Sequence, residues 1–160
     1  MRPVIYDAGV LIAADHSKRR IWAEHRVRLE AGLVPLVPAT VVAQASRSPK
    51  QAQMRRLLRG CEVIPFDERS AHAAGALLGK TRTRDVVDAS VAELSIRKQA
   101  DIVSDDAEDI RRLLSAADHE SFDLGPLKAQ RNAAQPHSQG PKITVGLMRR
   151  VSARTPIISR

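Results

Sequence analysis

Residues 83–114 read TRDVVDASVAELSIRKQADIVSDDAEDIRRLL. The pattern predicts a helix from Asp85 to about Lys98, a short strand at Asp101–Ser104, and a second helix opened by Asp106 and running to about Ala116. A helix, then a strand that stops at an acidic pair, then another helix is the repeating unit of a parallel α/β sheet.

The same unit recurs toward the N-terminus. PVIY at residues 3–6 is a β-prone run that stops at Asp7-Ala8-Gly9, and Val10 to Ala14 gives one or two helical turns. Residues 18–31 form an amphipathic helix stopped at Gly32, and Leu33 to Val37 is a second strand kept short by Pro35 and Pro38. Thr40 opens a helix to Arg47, Pro49 starts another that Gly60 closes, and Cys61 to Pro65 is a third strand. Glu68 to Leu78 is an Ala-rich helix ending at Gly79, followed by the basic loop KTRTR. The reading is an α/β fold with a short parallel sheet of four to five strands covered on both faces. No internal repeat is present.

From about His119 the sequence changes. SFDLGPLKAQRNAAQPHSQGPK is rich in Gly, Pro, Gln and Ser, and it leads into a more apolar ITVGLMRRV that fits an edge strand or a partner contact. The expected organisation is a domain over residues 1–118 and a flexible basic tail over 119–160.

The 160 residues carry 26 Lys and Arg against 18 Asp and Glu, a formal charge of +8, which suits a polyanionic partner or a solubilising surface. Tyr6, Trp22, Phe66 and Phe122 are the only aromatic residues, too few for a base-stacking platform. Cys61 is the single cysteine, so no intrachain disulfide or thiolate metal site can form, and it reads as a small core residue. No run reaches membrane-spanning length and the start lacks a signal-peptide pattern, so a soluble cytoplasmic protein is expected. The five histidines show no metal-ligand spacing, and Trp22 reads as a helix packing residue.

The acids are the informative feature. Asp7 follows the first strand, Asp85 and Asp88 share one helix face near its N-terminus, and Asp106 follows the fourth strand with Asp105 beside it. Carboxyl ends of parallel strands are where ligands collect, and carboxylates crowded there repel unless a hard dication joins them. Asp85 and Asp106 also fit plain helix N-caps, with Asp88 and Asp109 imitating capping boxes. Lys80, Arg82 and Arg84 lie just before Asp85 and are candidate phosphate contacts, as are Arg47 and Lys50. The run from Arg47 to Arg59, with Arg55 and Arg56 and no acid, fits a solvated helix face or RNA contact.

Taken in order, VIYDAGVLIA, PATVVAQASRSPKQAQMRRLLRG, EVIPFDE and the opening stretch resemble the PIN-domain family, and within it the VapC-type toxins of bacterial toxin–antitoxin pairs. The match covers residues 3 to about 115, and its most specific part is the spacing from Asp88 to Asp106. The resemblance implies a three-layer α/β/α sandwich, Mg²⁺ or Mn²⁺ dependence, cleavage of single-stranded RNA, a cognate antitoxin and a homodimer. Carried over, Asp7, Asp88 and Asp106 are catalytic metal-site carboxylates, Asp85 is an accessory acid, and Ser104 supports the site through hydrogen bonds. Gln44 stands where the family has a Glu; an amide oxygen can ligate but brings no charge and cannot act as a base.

That departure favours a second class, a PIN-fold protein weak or inactive in catalysis that acts through a partner. A phosphotransfer domain is disfavoured, because its common version has a second Asp where this chain has Gly9.

Overall fold

The computed structural model describes residues 2–105, 108–118 and 143–145. Five strands run in chain order: β1 (Val4–Tyr6), β2 (Leu36–Pro38), β3 (Glu62–Ile64), β4 (Asp101–Ser104) and β5 (Ile143–Val145). They form one parallel sheet in the order β3-β2-β1-β4-β5. The sheet therefore extends past the boundary expected at residue 118, with Ile143 opposite Ile102 and Val145 opposite Ser104. The rest of the expected tail, residues 119–142 and 146–160, lies outside the described residues.

The first four helices are α1 (Ala8–Asp15), α2 (Arg19–Glu30), α3 (Ala39–Ala45) and α4 (Ala52–Leu58). The remaining three are α5 (Glu68–Thr81), α6 (Val86–Lys98) and α7 (Glu108–Asp118). α2, α3 and α4 all pack on α1, whereas α5, α6 and α7 pack on one another, giving a helical layer on each face of the sheet. Right-handed crossovers require this split, because the chain moves from β1 to β3 in one direction and from β4 to β5 in the other. The result is the three-layer α/β/α arrangement with a parallel sheet. Among the described residues, no helix is long and apolar enough to cross a membrane.

The core is aliphatic. Ile5 and Ile102 lie side by side in the sheet, and Leu11, Val41, Leu57, Val91, Leu94, Ile110 and Leu113 close over its two faces. Burial of each such side chain contributes about 1.5–3 kcal/mol, so short strands suffice.

Several boundaries differ from the sequence expectation for visible reasons. α5 runs through Gly79 and stops where Arg82 turns left-handed at φ 55°. Gly79 has nothing near the place of a Cβ, and a glycine in an exposed turn is tolerated. The helix expected from Pro49 starts only at Ala52, because the Gln51 side chain holds residues 46–51 as a loop. Its amide oxygen accepts from the backbone N–H of Arg47 (2.6 Å) and Ser48 (3.0 Å), and its nitrogen donates to the Ala45 carbonyl. β2 is Leu36–Pro38 rather than 33–37, in register with β3 through Leu36–Glu62.

α2 is fixed by a polar cluster under its inner face. Tyr6 at the end of β1 is buried, and its hydroxyl lies 3.2 Å from Nδ1 of buried His25 and 3.4 Å from the Arg28 guanidinium. Arg28 can only donate, so the tyrosine oxygen accepts from Arg28, and the Nδ1 unprotonated tautomer of His25 lets the hydroxyl donate in turn. Trp22 donates from its indole nitrogen to the Ala14 carbonyl and carries the Arg56 guanidinium over its ring. Cys61 is half-buried, its thiol points to the Leu57 carbonyl, and burial pushes its pKa up to about 12.

Burial, and secondarily the Arg28 charge, hold the His25 pKa below its ordinary value. The unfolded chain then binds this proton more readily than the native one, so stability falls as pH drops through ~6.5 toward the lowered native value. Urea midpoints measured from pH 7.5 to 5 should fall more steeply for the wild type than for His25→Gln. Equal slopes would show that His25 is charged in the native protein or contributes nothing.

Candidate active site

The site follows from strand order. The chain leaves β1 toward β2 on one side, whereas β4, on the other side of β1, leads away to β5, so a crevice opens outside the carboxyl ends of β1 and β4. Asp7 ends β1 there, and Ser104 ends β4. The backbone N–H of Asp7 donates to the Val103 carbonyl at 3.2 Å, and the two strand ends are joined again through side chains.

Asp7 is 7 % exposed. One carboxylate oxygen accepts the Ala8 N–H at 2.6 Å, and the other accepts the Ser104 hydroxyl at 2.7 Å. Burial raises the Asp7 pKa, the bonds from Ser104 and Ala8 pull it back, and the charges of Asp105 and Asp85 push it up again. Ionisation of this residue is disfavoured unless a cation joins it.

The crevice is an open cleft of about 790 Å³. Asp7, Asp85, Asp88, Asp105 and Asp109 line it, together with Gln44 of α3 and Arg47 and Ser48 of the following loop. Asp85 is an N-cap as well as a wall residue: its Oδ1 accepts from Val87 N–H at 2.8 Å and Asp88 N–H at 3.0 Å. Asp88, three positions on, is half-buried in the first turn of α6. Asp106, expected as the third catalytic acid, lies outside the described residues.

Lys80, Arg82 and Arg84 are exposed and line no part of the cleft, and neither does Lys50, whose neighbours Ser48 and Gln51 do. They belong to the surroundings of the site rather than to its walls.

Three features escape a reading of the sequence. Asp105 lies across the first turn of α1, and a Cβ at Gly9 would stand 1.9 Å from its Oδ1, so Gly9 is what leaves room for that carboxylate. Asp15 lines the cleft but spends one oxygen on the Met54 N–H at 3.2 Å, capping α4, which has no side-chain cap of its own. Asp109 stands at the start of α7 with Arg112 3.3 Å away. Only the acidic residue types hinted at these, because each contact joins distant segments or depends on a turn.

The donor set is suited to a hard cation. Carboxylates and an amide offer oxygen, and both Asp7 oxygens keep a lone pair beyond the bonds they accept. Among the described residues, no three His, Cys, Asp or Glu side chains stand close enough to form a ready-made cage.

No protein-family model and no curated protein matches the chain. Two solved structures are similar in fold. One is VapBC2 from Rickettsia felis bound to a DNA fragment from its promoter, with a TM-score of 0.55 at 15 % identity, covering 68 % of this chain and 91 % of the other. The second is a toxin–antitoxin complex from Klebsiella pneumoniae, with a TM-score of 0.52 at 15 % identity, covering 66 % of this chain and 88 % of the other. At that identity the likeness establishes the fold, which is PIN-like.

Two outcomes test the site's energetics. Because the native pKa of Asp7 is raised, the fold gains stability as pH falls through it, and at neutral pH the ionised group is a burden. Asp7→Asn should therefore raise the melting temperature of the cation-free protein; a lower one would mean that the bonds from Ser104 and Ala8 outweigh desolvation. Asp15→Ala should lower stability by about 1 kcal/mol in urea titration, the usual cost of a lost helix cap, and an unchanged midpoint would deny it that role.

Proposed function

We propose that the protein is a metal-dependent endoribonuclease that cleaves single-stranded RNA, the toxin of a toxin–antitoxin pair, with the acidic cleft as its active site. One observation carries this reading: Asp7, Asp85, Asp88 and Asp105, from separate parts of the chain, face one cleft at the switch point of the sheet, with Arg47 in the same wall. The fold likeness to toxin–antitoxin complexes supports the toxin role and an antitoxin partner, and a homodimer is part of the same reading.

Asp7, Asp88 and Asp106 would hold Mg²⁺ or Mn²⁺, with Asp85 and Gln44 completing the oxygen shell. The ion, when bound, lowers the pKa of a water and offsets charge on the phosphodiester. The chain's own groups supply the rest. Ser104 fixes the orientation of Asp7 by donating to one carboxylate oxygen while the Ala8 N–H holds the other. Arg47 is held with its guanidinium at the Ala43 and Ser46 carbonyls, which leaves donors for a phosphate. Lys50 stands just outside that wall, and Lys80, Arg82 and Arg84 would guide the strand on the side of Asp85.

Gln44 favours a second reading, a PIN-fold protein weak or inactive in catalysis that acts through its partner. It lines the cleft as an amide where a carboxylate would strengthen cation binding.

Purified protein with Mn²⁺ or Mg²⁺ is expected to cut end-labelled single-stranded RNA, EDTA to stop it, and Asp106→Asn to slow it at least ~100-fold. Gln44→Glu is expected to tighten Mn²⁺ binding in calorimetry and raise the rate. Full activity in EDTA would reject the metal. A wild type that cuts no RNA, joined to a Gln44→Glu variant that does, would establish the second reading.

A further inference from the structure

The outer face of α4 carries positive charge that the fold does not use. Residues 47–59 contain Arg47, Lys50, Arg55, Arg56 and Arg59 and no acid. Met54 and Leu57 face the core, while Arg55 and Arg59, one turn apart, are exposed on a common face. Ion pairs elsewhere engage Arg2, Arg20, Arg28, Arg97 and Arg112; among the described residues none involves Lys50, Arg55, Arg56 or Arg59. Arg56 is the partial exception to this freedom, lying 5.4 Å over the Trp22 ring and tying α4 to α2. Like charges kept close without ion-pair partners repel one another, and burial does not explain them.

The ridge is continuous with the cleft. Gln51 lines the cleft and stands directly before α4, and its three backbone bonds fix the loop that carries Arg47. From Gln51 to Arg59 the helical rise gives about 12 Å, the length of roughly two to four nucleotides. Among the described residues the exposed large apolar ones are Ile12, Val27, Leu29, Val34, Val63 and Val86, and none lies on α4. A protein interface wants an apolar centre, whereas a phosphate backbone wants cations alone.

We propose that α4 is a docking track for single-stranded RNA that extends out of the cleft, with Arg55 and Arg59 holding phosphates beyond those at the acids. The identity of the strand rests on the nuclease reading of the cleft; the track itself is a binding surface that works without cleavage.

The test is fluorescence anisotropy with labelled oligo(U) of 4 and 12 nucleotides, in EDTA, across a salt series. Wild type should bind the 12-mer at least ~10-fold more tightly than the 4-mer. Arg55→Gln with Arg59→Gln, both exposed, should remove most of that difference. It should also reduce the log–log salt slope for the 12-mer by about 1.4, two phosphate contacts at ~0.7 each, with a melting temperature no lower than the wild type's.

Equal wild-type affinity for the two lengths, or an unaltered slope in the double variant, overturns the track. So does tighter binding of poly-glutamate than of the 12-mer when both are lost in the double variant, which would make α4 a dock for an acidic protein. Length-dependent binding that the double variant abolishes, in a protein that cleaves nothing with Mn²⁺, supports the track and sinks only the nuclease reading.

Discussion

One hydrogen bond joins the parts on which the site depends. Ser104 and Asp7 are 97 positions apart, and the 2.7 Å bond between them closes the carboxyl ends of β4 and β1. It forms because the two strands pair in register from Val4–Asp101 to Tyr6–Val103, leaving the next residues of each strand side by side. The central position of β1 makes the environment of Asp7 apolar, and the end of the strand makes it reachable. Burial then sets the chemistry: desolvation and acidic neighbours raise the pKa of this carboxyl against the pull of its two donors, so it responds to whatever positive charge approaches.

The walls around it are held by contacts that serve structure and site together. Asp85 caps α6 and faces the cleft. Asp15 ties the end of α1 to the start of α4 and also borders the cleft. Gln51 satisfies three backbone groups of the loop that bears Arg47. Capping and site membership are thus not alternatives for such residues, because a helix N-terminus and an acidic pocket meet at the same edge of a parallel sheet.

Much of the fold was legible in the sequence because strands and helices here obey local rules. Val4 to Tyr6 and Ile102 to Val103 are apolar runs that stop at acids, and Asp85 precedes a clear helical pattern. Ile143–Val145 could be read only as a possible edge strand, since three residues after a Gly- and Pro-rich stretch carry almost no periodicity. The start of α4 was misplaced at Pro49 because its cap comes from Asp15, 39 positions away, and its preceding loop is held by a side chain. The place of Asp105 over Gly9 is likewise a matter of tertiary approach: glycine there reads as a turn residue, and only the fold reveals which carboxylate needs the space. The Tyr6, His25 and Arg28 cluster was invisible for the same reason, since a histidine in an amphipathic helix has no sequence mark of a buried acceptor.

The β3 edge of the sheet has a consequence for assembly. β3 is three residues long, contains Glu62, and is followed at once by Pro65, which has no N–H to offer a neighbour. A strand that short, charged and proline-terminated is a poor template for continuing a β-ladder into another molecule. On that side of the sheet the helical layers, not the strand margin, are thus the surfaces left for another molecule, and the β3 edge carries its own guard against edge-to-edge aggregation.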